Sequence, residues 1–378
     1  MLEGTILRGP FPVRLIWLFV LALYANTALA DVRVATWNID GVGKADTALV
    51  ANAETMQADV GRLDVLILQE VISDAQVRAV ARALGMPYWA ISDLSPPVAI
   101  TGNGFRSLEV AILSRIPIEA AAEWDTTGQE PTGDGYAPRV SSTEIPSTET
   151  VVDLPVSDVR PSRGFLRVDL RGGLSVYAGH WKSSRGESGT AADLDNAAQR
   201  ERQAAGIVVD ARRRLANGGS VLVGGDFNIQ APGRGERAGT DSTIDCTPAA
   251  TDDTACGPNG PDGYDDSLHL LLQLDPSSRL LSLDVEPTFV AERFEGGAID
   301  HLLVAGPLAA TFGAARTPPV EGTSYAGSDH RPVYAISTTD ALDDSNGNEV
   351  CQRIRVLIGE ARQRLDEIEA LSGSLEPQ

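Results

Sequence analysis

Lysine is nearly missing from this chain: Lys44 and Lys182 are two of 31 basic residues, set against 52 acidic ones, for a net charge of −21 over 378 residues. Such a balance excludes bulk attraction to polyanions or to an anionic membrane surface. Any nucleic-acid contact must then rest on a local basic patch or on bound cations, because electrostatic affinity comes from neutralising phosphates. Scarce lysine in an acid-rich chain fits a salty habitat, although a GC-rich genome that writes Arg for Lys accounts for it more simply. Cysteine is scarce too, at Cys246, Cys256 and Cys351, with no C-x2-C repeat and no H-x-x-x-H, which removes the usual zinc frameworks. No repeat of 20 to 50 residues recurs, which argues against solenoids and propellers. Glycine (37) and proline (22) stay well short of low-complexity composition. With 43% hydrophobic residues and a length that as a soft prior gives about two ordinary domains, a large core is expected.

One apolar run stands out. Arg8 and Arg14 precede Leu15 to Tyr24, and Ala28-Leu29-Ala30 forms a small-x-small cleavage signal, so residues 1–30 read as a signal peptide and the mature chain as beginning at Asp31. The run is short for a span of about 20 residues, which disfavours an uncut membrane anchor. The expected location is therefore secreted or periplasmic, without stable membrane association after cleavage. In that oxidising setting Cys246 and Cys256, within one Gly/Pro/Asp-rich loop, are expected to pair, leaving Cys351 over.

Further along, β-rich runs at 32–37, 63–69, 108–113, 164–170, 174–180, 220–224, 299–304 and 332–336 alternate with helical patterns. The clearest helix spans Asp193 to Ala216 and stops at Asn217-Gly218, and a shorter one, Ser267 to Leu274, carries His269, which matches no motif. Polar stretches at 119–160 and 230–266 read as surface insertions, since long loops usually serve a site or stay mobile. A linker, 337–348, faintly resembles a calcium loop but lacks its Gly and final Glu. The tail, 349–378, holds a helix with Cys351, Ile354, Ile358, Ala361, Leu365 and Ile368 along one seam. That seam can dock on the main domain or, with Cys351, build a homodimer.

Polar strings close several of the strands: Asn38-Ile39-Asp40-Gly41, Gln69-Glu70, His180-Trp181-Lys182-Ser183, Gly225-Asp226-Phe227-Asn228, Asp300-His301 and Ser328-Asp329-His330. Extended backbone would point both members of Asn38/Asp40 and of Asp226/Asn228 the same way, and would turn only one of Asp300 and His301 to a shared site. Carboxylates and amide oxygens suit a hard cation such as Mg²⁺, with Mn²⁺ or Ca²⁺ as alternatives. A metal with no protein nucleophile leaves water as the attacker on a phosphorus centre. Asp226 can activate that water, His180 and His330 can donate to phosphoryl oxygens, and Asp300 can orient His330. Each string alone is weak, but three of the four histidines fall inside them.

Taken in order, W-N-x-D-G, Q-E, G-H-x-x-S, G-D-x-N, D-H and S-D-H-x-P resemble the endonuclease/exonuclease/phosphatase (DNase-I-like) superfamily, across a catalytic domain spanning 31–336. The resemblance implies an α/β fold, a four-layer sandwich with two facing mixed β-sheets. It implies metal contacts at Glu70, Asp40 and Asp329, with Asn38 beside the metal or the substrate phosphate. It further implies Asp226 as activator of the nucleophile, Asn228 as the residue that holds it, and Asp300–His330 as an Asp–His pair. His180 matches the DNase-type branch, and His301 is expected to pack away from the site.

His180-Trp181-Lys182-Ser183-Ser184-Arg185 resembles a segment of secreted bacterial nucleases, placing Lys182 and Arg185 as phosphate contacts and making extracellular DNA or RNA the expected substrate. The acidic body argues the other way. A phosphomonoesterase or sphingomyelinase-like enzyme acting on a small or lipid phosphoester is the enzymatic alternative, and a catalytically inactive phosphate-binding module the non-enzymatic one.

Overall fold

The computed structural model describes residues 31–92, 108–124, 138–141, 147–151, 164–183, 191–231, 267–290, 297–320, 322 and 324–338. The expected signal segment, all three cysteines, Arg185, most of the second expected insertion and the expected tail helix lie outside the described residues.

Two mixed sheets organise the rest. The first takes β1 (Arg33–Asn38), β2 (Val65–Val71), β3 (Tyr88–Ile91), β4 (Glu109–Ser114), β6 (Arg139–Val140) and β13 (Val333–Ile336), in the order β13-β1-β2-β4-β3-β6. The second takes β5 (Ile118–Trp124), β7 (Ser147–Val151), β8 (Phe165–Leu170), β9 (Leu174–His180), β10 (Ser220–Asp226), β11 (Arg279–Leu280) and β12 (Asp300–Ala305), in the order β11-β12-β10-β9-β8-β5-β7. Four helices accompany them among the described residues: α1 (Asp46–Val60), α2 (Asp74–Leu84), α3 (Ala191–Ala216) and α4 (Ser267–Leu272).

Side-chain alternation explains why the strands read as continuous apolar runs. Val65 and Ile67 of β2 join Val34 and Ile112 in a core shared with Val168, Val176, Leu222 and Leu302 of the other sheet. Leu66 and Leu68 point the opposite way, into a second core with Leu49 and Met56 of α1 and Val77, Val80 and Leu84 of α2. On the far side, Val221, Val223, Tyr177 and Leu303 pack on Ala204, Ile207 and Ala211 of α3 and on Leu268 and Leu271 of α4. Three cores thus separate four layers, helices outside and sheets within. Both faces of each central strand are buried, so a one-residue slip would exchange two already filled cores and is strongly resisted.

Local signals set the helix ends. The Ser73 hydroxyl accepts from the Gln76 N–H at 3.3 Å to cap α2, and Gly85, left-handed at φ 64°, closes it. The helix expected at 193–216 is α3, and its stop at Asn217-Gly218 is present, with Gly218 at φ 79°. Among the described residues no helix is long and apolar enough to cross a membrane.

The reading of 119–160 as a surface insertion is corrected. Its first residues continue β5, where Ala121, Ala122 and Trp124 are buried, and β6 and β7 come from the same stretch as edge strands of the two sheets. Small residues and Thr-rich polarity hid them, because an edge strand need not be apolar throughout. The packed chain also runs two residues into the expected linker: Thr311 Oγ1 and Ser337 Oγ lie 2.6 Å apart, and the Thr338 N–H donates to the Thr311 carbonyl at 3.0 Å.

Candidate active site

Register brings the polar strings to one edge of the paired sheets. Asn38 lies opposite Gln69 in the parallel β1–β2 pair, and Asp226 lies between His180 of β9 and Asp300 of β12. The approach of β9 to β10 is unusually close at Gly179 and Gly225, which sit opposite each other one residue before His180 and Asp226. A Cβ on Gly225 would collide with the Gly179 carbonyl oxygen.

Asp226 is the hub. Its Oδ2 accepts from Asn38 Nδ2 at 3.2 Å and lies 3.3 Å from His180 Nε2 and 3.9 Å from His330 Nε2. Asn38 Nδ2 also reaches Glu70 Oε1 at 3.2 Å, while Asn38 Oδ1 accepts the Asp40 N–H at 3.0 Å. Asn38 therefore ties Asp226 to Glu70 through one amide. His180 Nε2 stands 3.8 Å from Glu70 Oε1 and completes that bridge.

Asp300, fully buried, meets His330 Nδ1 at 2.8 Å. Burial raises the Asp300 carboxyl, against the opposing charge and hydrogen bond of His330. Burial by itself would lower the His330 imidazole, but Asp300, followed by Asp226 and Asp329, pushes it up to about 10. The proton of the pair thus stays on the imidazole through neutral pH, leaving a cation beside Asp226. His301, the neighbour on β12, turns away as alternation requires: Nδ1 meets Ser282 Oγ and Nε2 the Ile229 carbonyl, each at 2.8 Å. Burial lowers its pKa to about 4.

Alternation within extended strands does not explain the other pairs, which corrects the expectation for Asn38/Asp40 and Asp226/Asn228. Strand geometry stops at Asn38 and at Asp226, and a turn follows in each case. The Asp226 side chain accepts the Asn228 N–H at 3.0 Å just as Asn38 accepts that of Asp40. Asp40 (φ 45°), Glu70 (φ 58°) and Asn228 (φ 55°) are three of the five non-glycine residues with positive φ among those described. Such backbone is costly and persists where surrounding structure over-determines it. Glu70 owes its conformation to a bulge: the β2–β4 register shifts between Leu68 and Val71, rotating Glu70 out of the pleat.

Glu70 and Asp329 are near enough for their charges to act on Asp40, and all three offer oxygen donors. Asp40 is raised first by burial and also by Asp329 and Glu70, against the lowering influence of Lys44. This donor chemistry fits a hard divalent ion such as Mg²⁺. Asp226, Asp300 and His330 also place ligand atoms within 4.8 Å of one another. There, however, the imidazole Nδ1 and the Asp300 carboxylate are already bound to each other.

Asn228 Nδ2 donates to the Trp181 carbonyl at 3.2 Å, fixing its amide plane. Lys182 follows directly, half-buried, its N–H held by Gln203 Oε1 at 3.1 Å and its carbonyl by Arg200 Nη1 at 2.8 Å. Several residues that shape the site escaped sequence reasoning. Ser328 Oγ donates to the Asn38 carbonyl at 2.7 Å and accepts the His330 N–H at 3.0 Å. Thr288 Oγ1 accepts the Asp300 N–H at 3.1 Å. Lys44 Nζ pairs with Asp40 Oδ2 at 3.1 Å. Only the serine, inside S-D-H, carried a local signal.

Residues 35–330 match the model of the Endonuclease/Exonuclease/phosphatase family, and the chain belongs to that family, whose members are metal-dependent phosphoester hydrolases. No curated protein matches. Similar solved structures include truncated TDP2 from Caenorhabditis elegans, at 17% identity and TM-score 0.46, covering 82% of this chain and 99% of that one. The 3'-5' exonuclease NExo from Neisseria meningitidis matches at 20% identity and TM-score 0.47, covering 81% and 99%. An AP endonuclease from Archaeoglobus fulgidus matches at 15% identity and TM-score 0.49, again covering 81% and 99%.

Proposed function

We propose that this chain is an exported, divalent-metal-dependent phosphodiesterase that cleaves nucleic acid with activated water. The observation that carries the chemistry is the position of Asp226 Oδ2, within 3.3 Å of Asn38 Nδ2 and His180 Nε2 and 3.9 Å from a His330 whose other nitrogen is held by Asp300.

Glu70 would hold the ion, with Asp40 and Asp329 contacting it or its waters. When bound there, the ion supplies charge neutralisation for the phosphate and polarises its oxygens. Asp226 takes a proton from water, and Asn228, its amide plane fixed, holds that water against phosphorus. Asn38 keeps Asp226 and Glu70 at a constant separation, so that attack and charge neutralisation fall on one phosphate. His330 stays cationic and stabilises negative charge on the non-bridging oxygens, which are richest in charge at the transition state. His180, between Asp226 and Glu70, is placed to donate to the phosphate or the departing oxygen.

Nucleic acid is favoured over a small or lipid phosphoester because Lys182, and Arg185 three residues later, put positive charge just past His180 in an otherwise acidic protein. Export is supported by the leader pattern of Arg8, Arg14 and Ala28-Leu29-Ala30.

A panel of duplex and single-stranded DNA, RNA, sphingomyelin, inositol phosphates and a generic phosphodiester, assayed with Mg²⁺ and with excess chelator, tests this reading. Turnover of nucleic acid that needs Mg²⁺ and drops about 100-fold or more in Glu70→Gln supports it. Turnover in chelator, or on sphingomyelin or inositol phosphates alone, replaces it.

A further inference from the structure

The two neighbours that open β12 face opposite ways, and each holds a different turn of the site. Asp300 meets His330 Nδ1 at 2.8 Å, in the turn before β13. His301 reaches instead to the turn that follows β10, where its Nε2 meets the Ile229 carbonyl at 2.8 Å, one residue past Asn228. A carbonyl oxygen only accepts, so Nε2 carries the hydrogen. The other nitrogen, Nδ1, meets the Ser282 hydroxyl at 2.8 Å, and the Leu302 N–H donates to that same oxygen at 3.3 Å. The ring is thus fixed at both nitrogens, and His301 and Ser282 are both fully buried.

The turn that His301 grips has a shape that must be held from outside. Asn228 has left-handed backbone at φ 55°, which is costly for a residue other than glycine. Its N–H donates to Asp226 Oδ1 at 3.0 Å and its side-chain amide to the Trp181 carbonyl at 3.2 Å. Before Asn228, the Phe227 N–H donates to the Ile299 carbonyl at 2.8 Å, and the Phe227 ring packs edge-on against His301, with centroids 5.4 Å apart and planes at 71°. After Asn228, the His301 imidazole holds the Ile229 carbonyl. Both anchors come from residues 299–301. We infer that His301 is a positioning residue, which fixes the turn of Asn228 so that one step of β12 places Asn228 and, through Asp300, His330 in a common frame. The inference rests on the proposed role of Asn228 in holding the attacking water and adds the residue that places it. Misplacing an orienting group by about 1 Å costs on the order of 100-fold in rate, so loss of this bond should appear in kcat rather than in KM.

Steady-state kinetics with Mg²⁺, on the panel substrate that wild type turns over fastest, tests this with each variant shown to be folded by circular dichroism at the assay temperature. His301→Leu removes the donor and should lower kcat about 10-fold or more while KM stays within about 2-fold. His301→Gln, whose amide N–H still reaches the Ile229 carbonyl, should restore kcat to within about 3-fold of wild type. Ser282→Ala keeps the ring but releases Nδ1 and should lower kcat about 3-fold or more, so it carries the same comparison where His301→Leu does not fold. In an Asn228→Ala background neither His301→Leu nor Ser282→Ala should cost further kcat, because residues that work as a unit are non-additive. A histidine that only stabilises the fold would instead give a loss that multiplies with that of Asn228→Ala and that glutamine does not restore. That result, or unchanged kcat in His301→Leu and Ser282→Ala, overturns the inference while leaving Asn228 in its proposed role. Full activity in Asn228→Ala overturns both.

Discussion

Asp300 and His330 act through one hydrogen bond, so their losses should not multiply. Asp300→Asn and His330→Ala are each expected to cut turnover by about 100-fold or more, and the double variant to be little worse than the poorer single one, because residues working as a unit are non-additive. A double-mutant cycle on kcat checks this, with independent multiplicative losses as the contrary result. His301 is the contrasting histidine, since its environment favours the neutral ring. With a folded pKa of about 4 against about 6.5 unfolded, the unfolded chain takes up a proton that the folded chain refuses between those values. Its contribution is therefore complete above pH 6.5 and falls by about 3 kcal/mol as pH drops to 4. In His301→Gln that part of the acid slope should vanish, read as denaturant midpoints from pH 7 to pH 4. Both roles follow from neighbours far away in the chain, Asp300 with His330 and Ser282 with His301. A D-H dipeptide alone showed only that one of the two would turn inward.

The element that sets the geometry around Asp226 is the β9–β10 pair. Gly225, at φ 155°, presses on the Gly179 backbone, and that contact leaves His180 and Asp226 opposite each other in register. Gly225→Ala should therefore cost about 3 kcal/mol or more, because the added methyl meets backbone that cannot swing aside. Urea unfolding measures the loss, and a drop within 0.5 kcal/mol of wild type would remove this account. A second element, the turn before β13, carries Asp329 and His330. Tyr325 and Ser328 bridge across it, and the Tyr325 hydroxyl donates to Asp59 of α1 at 2.6 Å. Burial, with help from Asp59, raises that phenol, so it remains a protonated donor. The central strands and α3 were legible because a period of two or of 3.6 survives in their apolar residues. The strands β6 and β7 were not, since edge positions relax that pattern, and neither was β5, which is internal but built largely of alanine.

Across the whole molecule, a net charge of −21 opposes any polyanionic substrate, and local cations must offset it. Lys182→Gln with Arg185→Gln should reduce activity on long DNA at least about 10-fold more than on a small phosphodiester, which touches only the ion and the histidines. Moderate salt should aid encounter by screening the long-range repulsion over a Debye length of about 8–10 Å. Equal losses on both substrates would place Lys182 in general phosphate stabilisation and favour a small-molecule phosphoesterase. The ordered motifs carried a resemblance that implied the two-sheet fold, the buried strand runs agreed with it, and the motifs with their donor types named the candidate residues, because these properties are local and survive in a linear string. Only the tertiary structure decided how those residues meet: the bulge that turns out Glu70, the turns that fold Asp40 and Asn228 back, the hydroxyls of Ser328 and Thr288, and the ammonium of Lys44. The Ser328 contact depends on a partner far along the chain, those of Lys44 and Thr288 on the path of a loop, and Asp40, Glu70 and Asn228 on left-handed backbone, and none of these leaves a periodic trace in the sequence.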